Sequence, residues 1–287
     1  MPWYELESAD DPRLDELAKQ YNLHPLHIED SRSHDEGVKV DTAPHYTFAV
    51  FKPVHLENDT PVFTTIDIFA GKDFFITIAE PDCPATSEAL ARARRDGCDD
   101  KPGKLLYLIL DTIVDLYFPA IDHFDDRIDD LEDTVIGSPS PEILQSVFGI
   151  KRELIDLRRV LVNTRDASLH LQRDPGSIID AEHQLYIRDI YDHIARLLDS
   201  VETQRDLLNN TLDIYLSSVA NRTNEVMKVL TVLGTIALPA LAISGIYGMN
   251  LKGLPFETSA HGALYVGGLT IFCTVVLLAI LRKFRWF

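Results

Sequence analysis

Two long uncharged stretches near the end of the sequence restrict what this chain can fold into more than any other feature. Residues 229–251 and 258–281 comprise 23 and 24 residues, and neither stretch contains Asp, Glu, Lys or Arg. Each could cross about 30 Å of hydrocarbon, because a helix rises about 1.5 Å per residue. A buried helical hairpin in a soluble core is the alternative, but surface and core helices of soluble proteins seldom run so far without a charge. We therefore expect two transmembrane helices, the first at about 229–247 and the second at 262–281.

The charges beside these stretches predict the orientation of the chain. Arg222 and Lys228 precede the first stretch, and a basic tail at 282–287 follows the second. Lys and Arg accumulate on the cytoplasmic side of membrane helices. We expect both termini in the cytosol, a multi-pass protein of the cell (inner) membrane, and a loop at 248–261 on the outer side. The first residues contain no apolar segment of the kind that a secretory signal requires.

The rest of the sequence is strongly acidic. The whole chain has a formal net charge of −18, with 45 acidic and 27 basic residues. Residues 1–221 hold 43 acids and 21 bases, whereas residues 222–287 hold two acids and six bases. This balance argues against nucleic acid as a partner, and it favours cations or simply solubility.

Residues 1–135 are expected to form an α/β domain in the cytoplasm, followed by a connecting helical region at 136–177. Apolar runs rich in β-branched and aromatic residues predict strands at 46–54, 62–70 and 74–79. Turns are predicted at Asn58-Asp59 and Gly71-Lys72. The patterns that are typical of helices fall at 10–20, 25–30, 85–96, 104–135 and 140–172.

A single long helix is predicted to join this domain to the membrane. No proline occurs between Gly176 and Pro239, so residues 178–247 can form one helix of about 105 Å. It would be a cytoplasmic stalk that continues into the first membrane span. The expected fold class is therefore an α+β cytoplasmic domain with a long stalk helix and two transmembrane helices.

Polar residues recur along the stalk with a spacing of seven. The aspartates of one phase are Asp192, Asp199, Asp206 and Asp213, and the alternate phase includes Asn210, Ser217, Asn224 and Thr231. A seven-residue repeat keeps one face along a left-handed supercoil. For 192–206 a solvated face opposite an apolar stripe explains the pattern equally well, and both interpretations stay open. From 224 to 245 small and polar residues continue into membrane depth. Two helices per chain cannot enclose a polar path, so this face suggests an oligomer.

An acidic run on the preceding helix has two interpretations. Seven acids fall within twelve residues: Asp122, Asp125, Asp126, Asp129, Asp130, Glu132 and Asp133. Like charges on one helix repel each other, so a solvated face explains the run better than a tight metal site. A weaker electrostatic role near the basic residues at 282–285 stays open.

The tetrapeptide Tyr247-Gly248-Met249-Asn250 stands at the outer end of the first predicted span. The tripeptide GMN alone is ordinary turn chemistry, but here it precedes a second span and a basic tail and lies 37 residues from the end. Two further segments accompany it: Asn-Glu-Val-Met-Lys-Val-Leu-Thr at 224–231 and Leu-His-Pro-Leu-His-Ile-Glu-Asp at 23–30, which Val-Lys-Val follows at 38–40. Together these segments resemble the CorA family of magnesium and cobalt channels over essentially the whole chain.

The resemblance implies a homopentameric, funnel-shaped channel in which the first span lines the pore and the second faces lipid. The residues of the implied selectivity filter are Tyr247, Gly248, Met249 and Asn250. The implied pore-lining or gating positions are Asp213, Asn224, Met227, Leu230, Thr231, Leu238, Leu241 and Gly245. The apolar ones among them would form constrictions that gate by dewetting, and Asp213 would form an acidic ring.

The chemistry of the expected ion fits this motif. Mg²⁺ holds its waters tightly, so a ring of Asn250 carbonyls would accept hydrogen bonds from the hydrated ion without removing its water. A carboxylate ring would bind more strongly and release more slowly. The resemblance also implies that Mg²⁺, besides being transported, binds between neighbouring cytoplasmic domains and closes the pore. The matching acid on the stalk is Asp189, and Glu57 is the best match for its partner. Co²⁺ or Ni²⁺ are further candidate ions.

Two departures from the family pattern affect these expectations. Leu254-Pro255-Phe256 stands where members commonly have Met-Pro-Glu, and Leu241 stands where many have a hydroxyl. The outer acidic ring could be displaced, and the middle of the pore is more apolar. Neither departure removes Asn250.

Three other functions were weighed. A zinc transporter of the ZntB branch is the runner-up, and Met249 favours the magnesium branch. A membrane-anchored oligomeric sensor or scaffold would carry no ions. An enzyme is least supported, because His24 and His27 lack a third ligand or a base in the sequence. The three cysteines form no CxxC pair, which argues against a disulfide framework and a thiolate zinc site.

Overall fold

The computed structural model describes residues 1–33, 37–79, 84–96, 101–137, 140–173, 178–179, 183–249, 253–256 and 261–283. Contacts between residues divide the chain into two compact units, Met1–Leu212 and Asp213–Phe287. The first unit is an α+β fold. The second consists of the later part of one long helix and a shorter helix that follows it.

The strands of the first unit are short. Their bounds are β1 Trp3–Leu6, β2 Lys39–Thr42, β3 Tyr46–Phe51, β4 Val54–Glu57, β5 Thr60–Phe63, β6 Ile66–Gly71 and β7 Phe75–Ala79. The helices of the chain are α1 Pro12–Gln20, α2 Pro25–Arg32, α3 Pro84–Arg95, α4 Pro102–Gly137, α5 Pro141–Arg173, α6 Gln184–Gly248 and α7 Gly262–Lys283.

Five strands form a mixed sheet in the order β1-β7-β6-β3-β2. The β1–β7 pair is parallel, and the other neighbours are antiparallel. Every residue of β3, β6 and β7 is buried, which matches their continuous apolar runs. Leu14 of α1 and Ile28 of α2 belong to the same apolar cluster as Phe48, Phe69 and Ile76 of the sheet. Helix α4 also contacts β6.

The predicted strands at 46–54 and 62–70 are each interrupted. The first divides into β3 and β4 around Lys52-Pro53, and the second divides into β5 and β6 around residues 64–65. Proline has no N–H to donate to a sheet ladder, so the strand cannot continue through Pro53. The strands β4 and β5 instead form a separate antiparallel hairpin. Its turn at Asn58-Asp59 is confirmed, with φ of 49° and 62°, the conformation that such two-residue hairpin turns require.

The beginnings of α1 and α2 follow from capping chemistry. Pro12 and Pro25 occupy the first turns, where a missing N–H costs no hydrogen bond. The side chains of Asp11 and His24 accept hydrogen bonds from the backbone N–H two residues further on, at 2.9 and 3.2 Å. The predicted helices at 85–96, 104–135 and 140–172 agree with α3, α4 and α5 within two residues at each end.

The long helix α6 begins later than the sequence predicts. Ile178 and Ile179 are not helical, and the first turn starts where the carbonyl of His183 accepts from the N–H groups of Tyr186 and Ile187. At Ile178 the backbone lies against α4, and a Cβ at Gly103 would come within 2.6 Å of the Ile178 carbonyl oxygen. This approach is a contact between residues far apart in the sequence, and no helix-breaking Gly or Pro at 178–183 predicts it.

Within the first unit, α6 packs through an apolar stripe. Its buried residues recur at helical spacing: Ile187, Ile190, Ile194, Leu197, Val201 and Leu208. Asp192, Asp199 and Asp206 lie on the exposed part of the helix. Gln204 is buried on the side of α6 that packs on α4, and its Nε2 donates to the carbonyl of Ile121 at 2.8 Å.

The second unit exposes its apolar side chains. The later part of α6 and the whole of α7 are long and apolar enough to cross a membrane, and only 6% and 0% of their most apolar windows are buried. Leu230, Leu238 and Leu241 are 62%, 63% and 71% exposed. Apolar surface on this scale needs lipid or another chain to cover it. The predicted pair of membrane helices is confirmed by length and composition.

A hydrogen bond from a buried hydroxyl connects α4 to the backbone between β3 and β4. Tyr117 is fully buried, and its hydroxyl donates to the carbonyl of Lys52 at 2.7 Å. Tyr117→Phe leaves this carbonyl without its partner and should lower the free energy of unfolding by about 1–2 kcal/mol. Chemical unfolding of the detergent-solubilised full chain measures the change. Tyr186→Phe, at a ring that is 48% exposed, is the control and should change stability little. Equal effects would contradict the assignment.

Candidate functional site

The outer end of α6 carries the implied selectivity motif. Tyr247 and Gly248 are its last helical residues, and the N–H of Met249 donates to the carbonyl of Ile246 at 3.3 Å. The Tyr247 hydroxyl donates to the carbonyl of Pro255 at 2.8 Å, a contact between the helix end and the outer loop. Asn250 lies outside the described residues.

The implied pore-lining residues share the exposed surface of α6. The exposed ones are Asp213, Asn224, Met227, Leu230, Leu238, Leu241 and Gly245, and Thr231 is half-buried. The Thr231 hydroxyl donates to the carbonyl of Met227 at 2.8 Å, so this polar group is satisfied within its own helix. A Cβ placed on Gly234 or Gly245 would meet nothing within 4 Å. The packing of one chain therefore does not require these glycines, whereas close contact with another helix would.

Asp189 lies in the second turn of α6 with its side chain 64% exposed. His193, one turn later, places its Nε2 at 3.6 Å from an Asp189 carboxylate oxygen. The His193 Nδ1 is buried and has no hydrogen-bond partner among the described residues. Burial, together with Asp111, raises the pKa of the nearby Tyr107 to about 12, and the charge of Asp189 adds to that shift.

An ion-pair cluster on α3 and α4 adjoins this part of α6. Arg92 reaches two carboxylates, that of Asp111 at 2.7 Å and that of Asp115 at 2.8 Å. Burial raises the pKa of Asp111 and Asp115 raises it further, whereas Arg92 and His193 oppose the rise. Arg92 thus opposes the protonation of a nearly buried carboxylate. The sequence did not suggest this cluster, because Arg92 lies on a different helix, 19 residues before Asp111 and 23 residues before Asp115.

Glu57 is placed elsewhere in the first unit. It is exposed at the end of β4, immediately before the hairpin turn. The backbone carbonyl of Asp59 in that turn receives hydrogen bonds from His123 and Arg127 of α4. The pairing of Glu57 with Asp189 is expected between neighbouring copies, so within one chain it stays a prediction.

Other candidate ligands have structural partners. His24 caps α2, and the Nδ1 of His27 lies 2.8 Å from the Tyr46 hydroxyl while its ring stacks on Phe48. The aspartates of the acidic run on α4 are exposed, and Glu132 accepts a hydrogen bond from Thr211. Within the described part of the chain, no three His, Cys, Asp or Glu side chains form a group that could hold a metal ion.

Comparison with known proteins decides the family. The family model described as CorA-like Mg²⁺ transporter protein matches residues 1–283. The chain belongs to this family.

Curated relatives cover most of the chain. The cobalt/magnesium transport protein CorA of Thermotoga maritima is 33% identical over 271 residues, which are 93% of this chain and 77% of that protein. The protein of the same name from Methanocaldococcus jannaschii is 25% identical over 99% of this chain and 90% of its own length. The zinc transport protein ZntB of Yersinia pseudotuberculosis is 25% identical over only 64% of this chain and 54% of its own.

Solved structures agree with the fold. The complete CorA magnesium transporter of Methanocaldococcus jannaschii matches with a TM-score of 0.85 at 25% identity, over 99% of this chain and 91% of that one. The ZntB cytoplasmic domain of Vibrio parahaemolyticus matches with a TM-score of 0.65 at 12% identity, which shows the fold alone. The expected α+β fold with a long helix and two membrane helices is confirmed. As a CorA-family member, the chain is a divalent-cation transporter of the membrane.

The Arg92 cluster makes a prediction about stability. The Asp111 side chain is only 11% exposed, so Arg92→Met leaves a carboxylate poorly solvated and unpaired. The free energy of unfolding should fall by about 2 kcal/mol. This loss is smaller than for a fully buried ion pair, because Arg92 is partly exposed. Adding Asp111→Asn should recover most of the loss. Denaturant unfolding in detergent with a chelator measures this cycle. Asp115→Asn, at a 51% exposed side chain, is the matched control.

The same variant predicts a pH dependence. The pKa of Asp111 already lies above its usual 3.8 in the folded chain, and losing Arg92 raises it further. A raised carboxyl pKa favours folding below that pKa and disfavours it above. The destabilisation by Arg92→Met should therefore shrink as the pH falls from neutrality towards the raised pKa. A deficit that stays constant with pH would contradict a role for the Asp111 charge.

Proposed function

We propose that the chain forms a passive channel through which hydrated Mg²⁺ enters the cell, and that Co²⁺ or Ni²⁺ can take the same path. The observation that carries the proposal is the Tyr247-Gly248-Met249-Asn250 motif at the outer end of an α6 face that is exposed from Asp213 to Gly245. The names of the relatives, cobalt/magnesium transport protein CorA, support Mg²⁺ and Co²⁺.

The pore is a ring of α6 helices in a homopentamer. One α6 cannot enclose a polar path, and its glycines leave open space where another helix can approach. Met227 with Leu230, and Leu238 with Leu241, then form apolar constrictions that close by dewetting. The five Asp213 side chains form an acidic ring that attracts divalent cations. The helix α7, which buries no residue in one chain, faces lipid.

The ring of Asn250 side chains recognises the ion through the water molecules that coordinate it. Mg²⁺ dehydrates reluctantly, so a filter that strips its shell would conduct slowly. Side-chain amide oxygens accept hydrogen bonds from the coordinated water and add no charge. The Tyr247 hydroxyl, bonded to Pro255, holds the loop that follows the helix.

The membrane potential supplies the driving force. A divalent cation gains about 4.6 kcal/mol per 100 mV when it moves to an inside-negative compartment. Both termini lie in the cytosol of a cell whose inner membrane holds the two spans, as the basic flanks at 222–228 and 282–285 favour. Influx then needs no energy-coupling domain, only a gate.

Internal Mg²⁺ acts on the gate as the closing ligand. Asp189 lies on the first unit with its side chain 64% exposed, and its ion-pair partner among the described residues is His193 at 3.6 Å, so a divalent cation can reach it. Glu57 of a neighbouring copy is the proposed second ligand. Two carboxylates across an interface repel unless a cation bridges them, so bound Mg²⁺ favours the closed state by differential affinity.

The first experiment compares wild type with Asn250→Ala in proteoliposomes that contain a Mg²⁺-sensitive dye. Under an imposed inside-negative potential, wild type should take up Mg²⁺, and the variant should lose the uptake by about tenfold or more. Size-exclusion chromatography must show that the variant is still folded and oligomeric. Uptake that survives unchanged in the variant would contradict the filter. Zn²⁺ uptake driven by a proton gradient, without Mg²⁺ uptake, would favour the ZntB-like function, and no flux at all would favour a scaffold.

The regulatory proposal has its own test. Asp189→Asn removes a charge from the closing site, so Mg²⁺ influx should persist at internal Mg²⁺ concentrations that stop wild type. The concentration for half-maximal inhibition should rise by about fivefold or more. Asp199→Asn changes the same kind of exposed aspartate on the same helix and should leave inhibition unchanged. Equal inhibition of wild type and Asp189→Asn would contradict the site.

A further inference from the structure

The described residues of the outer loop, 253–256, are attached to both membrane helices. From α6, the Tyr247 hydroxyl donates to the carbonyl of Pro255 at 2.8 Å. From α7, the ring of Tyr265 stacks on the ring of Phe256, with centroids 5.0 Å apart and planes at 30°. The loop is therefore held at two adjacent residues from two different helices.

The backbone of this loop is strained at Phe256. Its φ is +66°, in the left-handed region that a bulky aromatic residue seldom adopts. Gly253, three residues earlier, has a φ of +94°, but glycine adopts this conformation without steric cost. A strained non-glycine residue persists only where surrounding contacts fix it, and such residues concentrate at functional sites.

The beginning of α7 is shaped to receive Phe256. A Cβ at Gly262, the first residue of α7, would lie 2.5 Å from the Phe256 carbonyl oxygen. Any other residue at 262 would push this carbonyl away. The backbone of Phe256 closely approaches Gly262, and its ring stacks on Tyr265. Both contacts bring Phe256 against α7, and the stack gives its exposed ring a packing partner.

We propose that Phe256 is a positioning residue for the outer mouth of the channel, and that its stack on Tyr265 holds the described part of the outer loop beside the end of α6. This inference rests on the proposed function. Gly253, the first residue of this described part of the loop, comes three residues after Asn250 in the sequence. A loop that two helices already hold loses little conformational freedom when an ion binds beside it, so the clamp raises the affinity of the mouth for hydrated Mg²⁺.

The substitutions separate the ring from the backbone. Phe256→Asn removes the ring but keeps a residue that tolerates positive φ, and Phe256→Tyr keeps the ring. On the other side of the stack, Tyr265→Leu removes the ring and Tyr265→Phe keeps it. The two ring-keeping variants are the matched controls for the two ring-removing ones.

Mg²⁺ influx into proteoliposomes is measured with the full chain as a function of external Mg²⁺. Phe256→Asn and Tyr265→Leu should each raise the concentration for half-maximal influx by about threefold or more, while both ring-keeping variants stay near wild type. A merely structural ring would lower the yield of folded oligomer, and hence the maximal rate, without moving half-saturation. Unchanged half-saturation in the ring-removing variants would overturn the proposal. If Phe256→Asn fails to fold, Tyr265→Leu provides the same test.

Hydrogen exchange distinguishes failure of the clamp from failure of the proposed function. Backbone amides of the outer loop should exchange faster in Phe256→Asn than in Phe256→Tyr, whatever the protein transports. Equal exchange in the two variants would overturn the clamp even if wild type conducts Mg²⁺. Faster exchange in Phe256→Asn, together with no Mg²⁺ flux in wild type, would show that the stack orders the loop. The same result would overturn its role in Mg²⁺ recognition and the proposed function.

Discussion

Hydrocarbon accepts neither an unpaired backbone amide nor an unpaired charge, and the later part of this chain is organised by that constraint. The helical hydrogen bonds of α6 and α7 satisfy the backbone. Four hydroxyls also donate hydrogen bonds to carbonyls of the preceding turn, those of Thr231, Thr235, Thr270 and Thr274. What remains on the surface is apolar or small. A path for a cation through such helices has to be made from several copies, with the polar groups placed at the ends.

The first unit meets the opposite problem, because it must remain stable with a large excess of negative charge. Most aspartates of α4 and α6 stay exposed, where water screens their repulsion. Asp111 is the exception, since it is nearly buried and depends on Arg92. That cluster lies beside the part of α6 that holds Asp189 and His193. Burial of Asp111 and its attraction to Arg92 act in opposite directions on its pKa, and a charge added or removed nearby changes that pKa further. This sensitivity suits a region proposed to sense a divalent cation.

Local rules were sufficient for most elements. The helical patterns at 25–30, 85–96, 104–135 and 140–172 predicted α2, α3, α4 and α5. The strands were harder, because an apolar run does not record which ladder it joins. Pro53 ends one strand, and the residues after it turn into a separate hairpin rather than continuing the sheet. Likewise, Ile178 lies outside α6, and its carbonyl closely approaches Gly103, a residue far away in the sequence.

The sequence by itself determined the two membrane helices, the family resemblance and the place of the Tyr247-Gly248-Met249-Asn250 tetrapeptide, because length, hydropathy and a short motif are local properties. Only the tertiary structure decided which side chains share a site. It brought Arg92 to Asp111 and Asp115, and it stacked Phe256 on Tyr265 against Gly262. These contacts join residues on different elements or turns, and their energies depend on burial and distance. Neither quantity exists until the chain has folded.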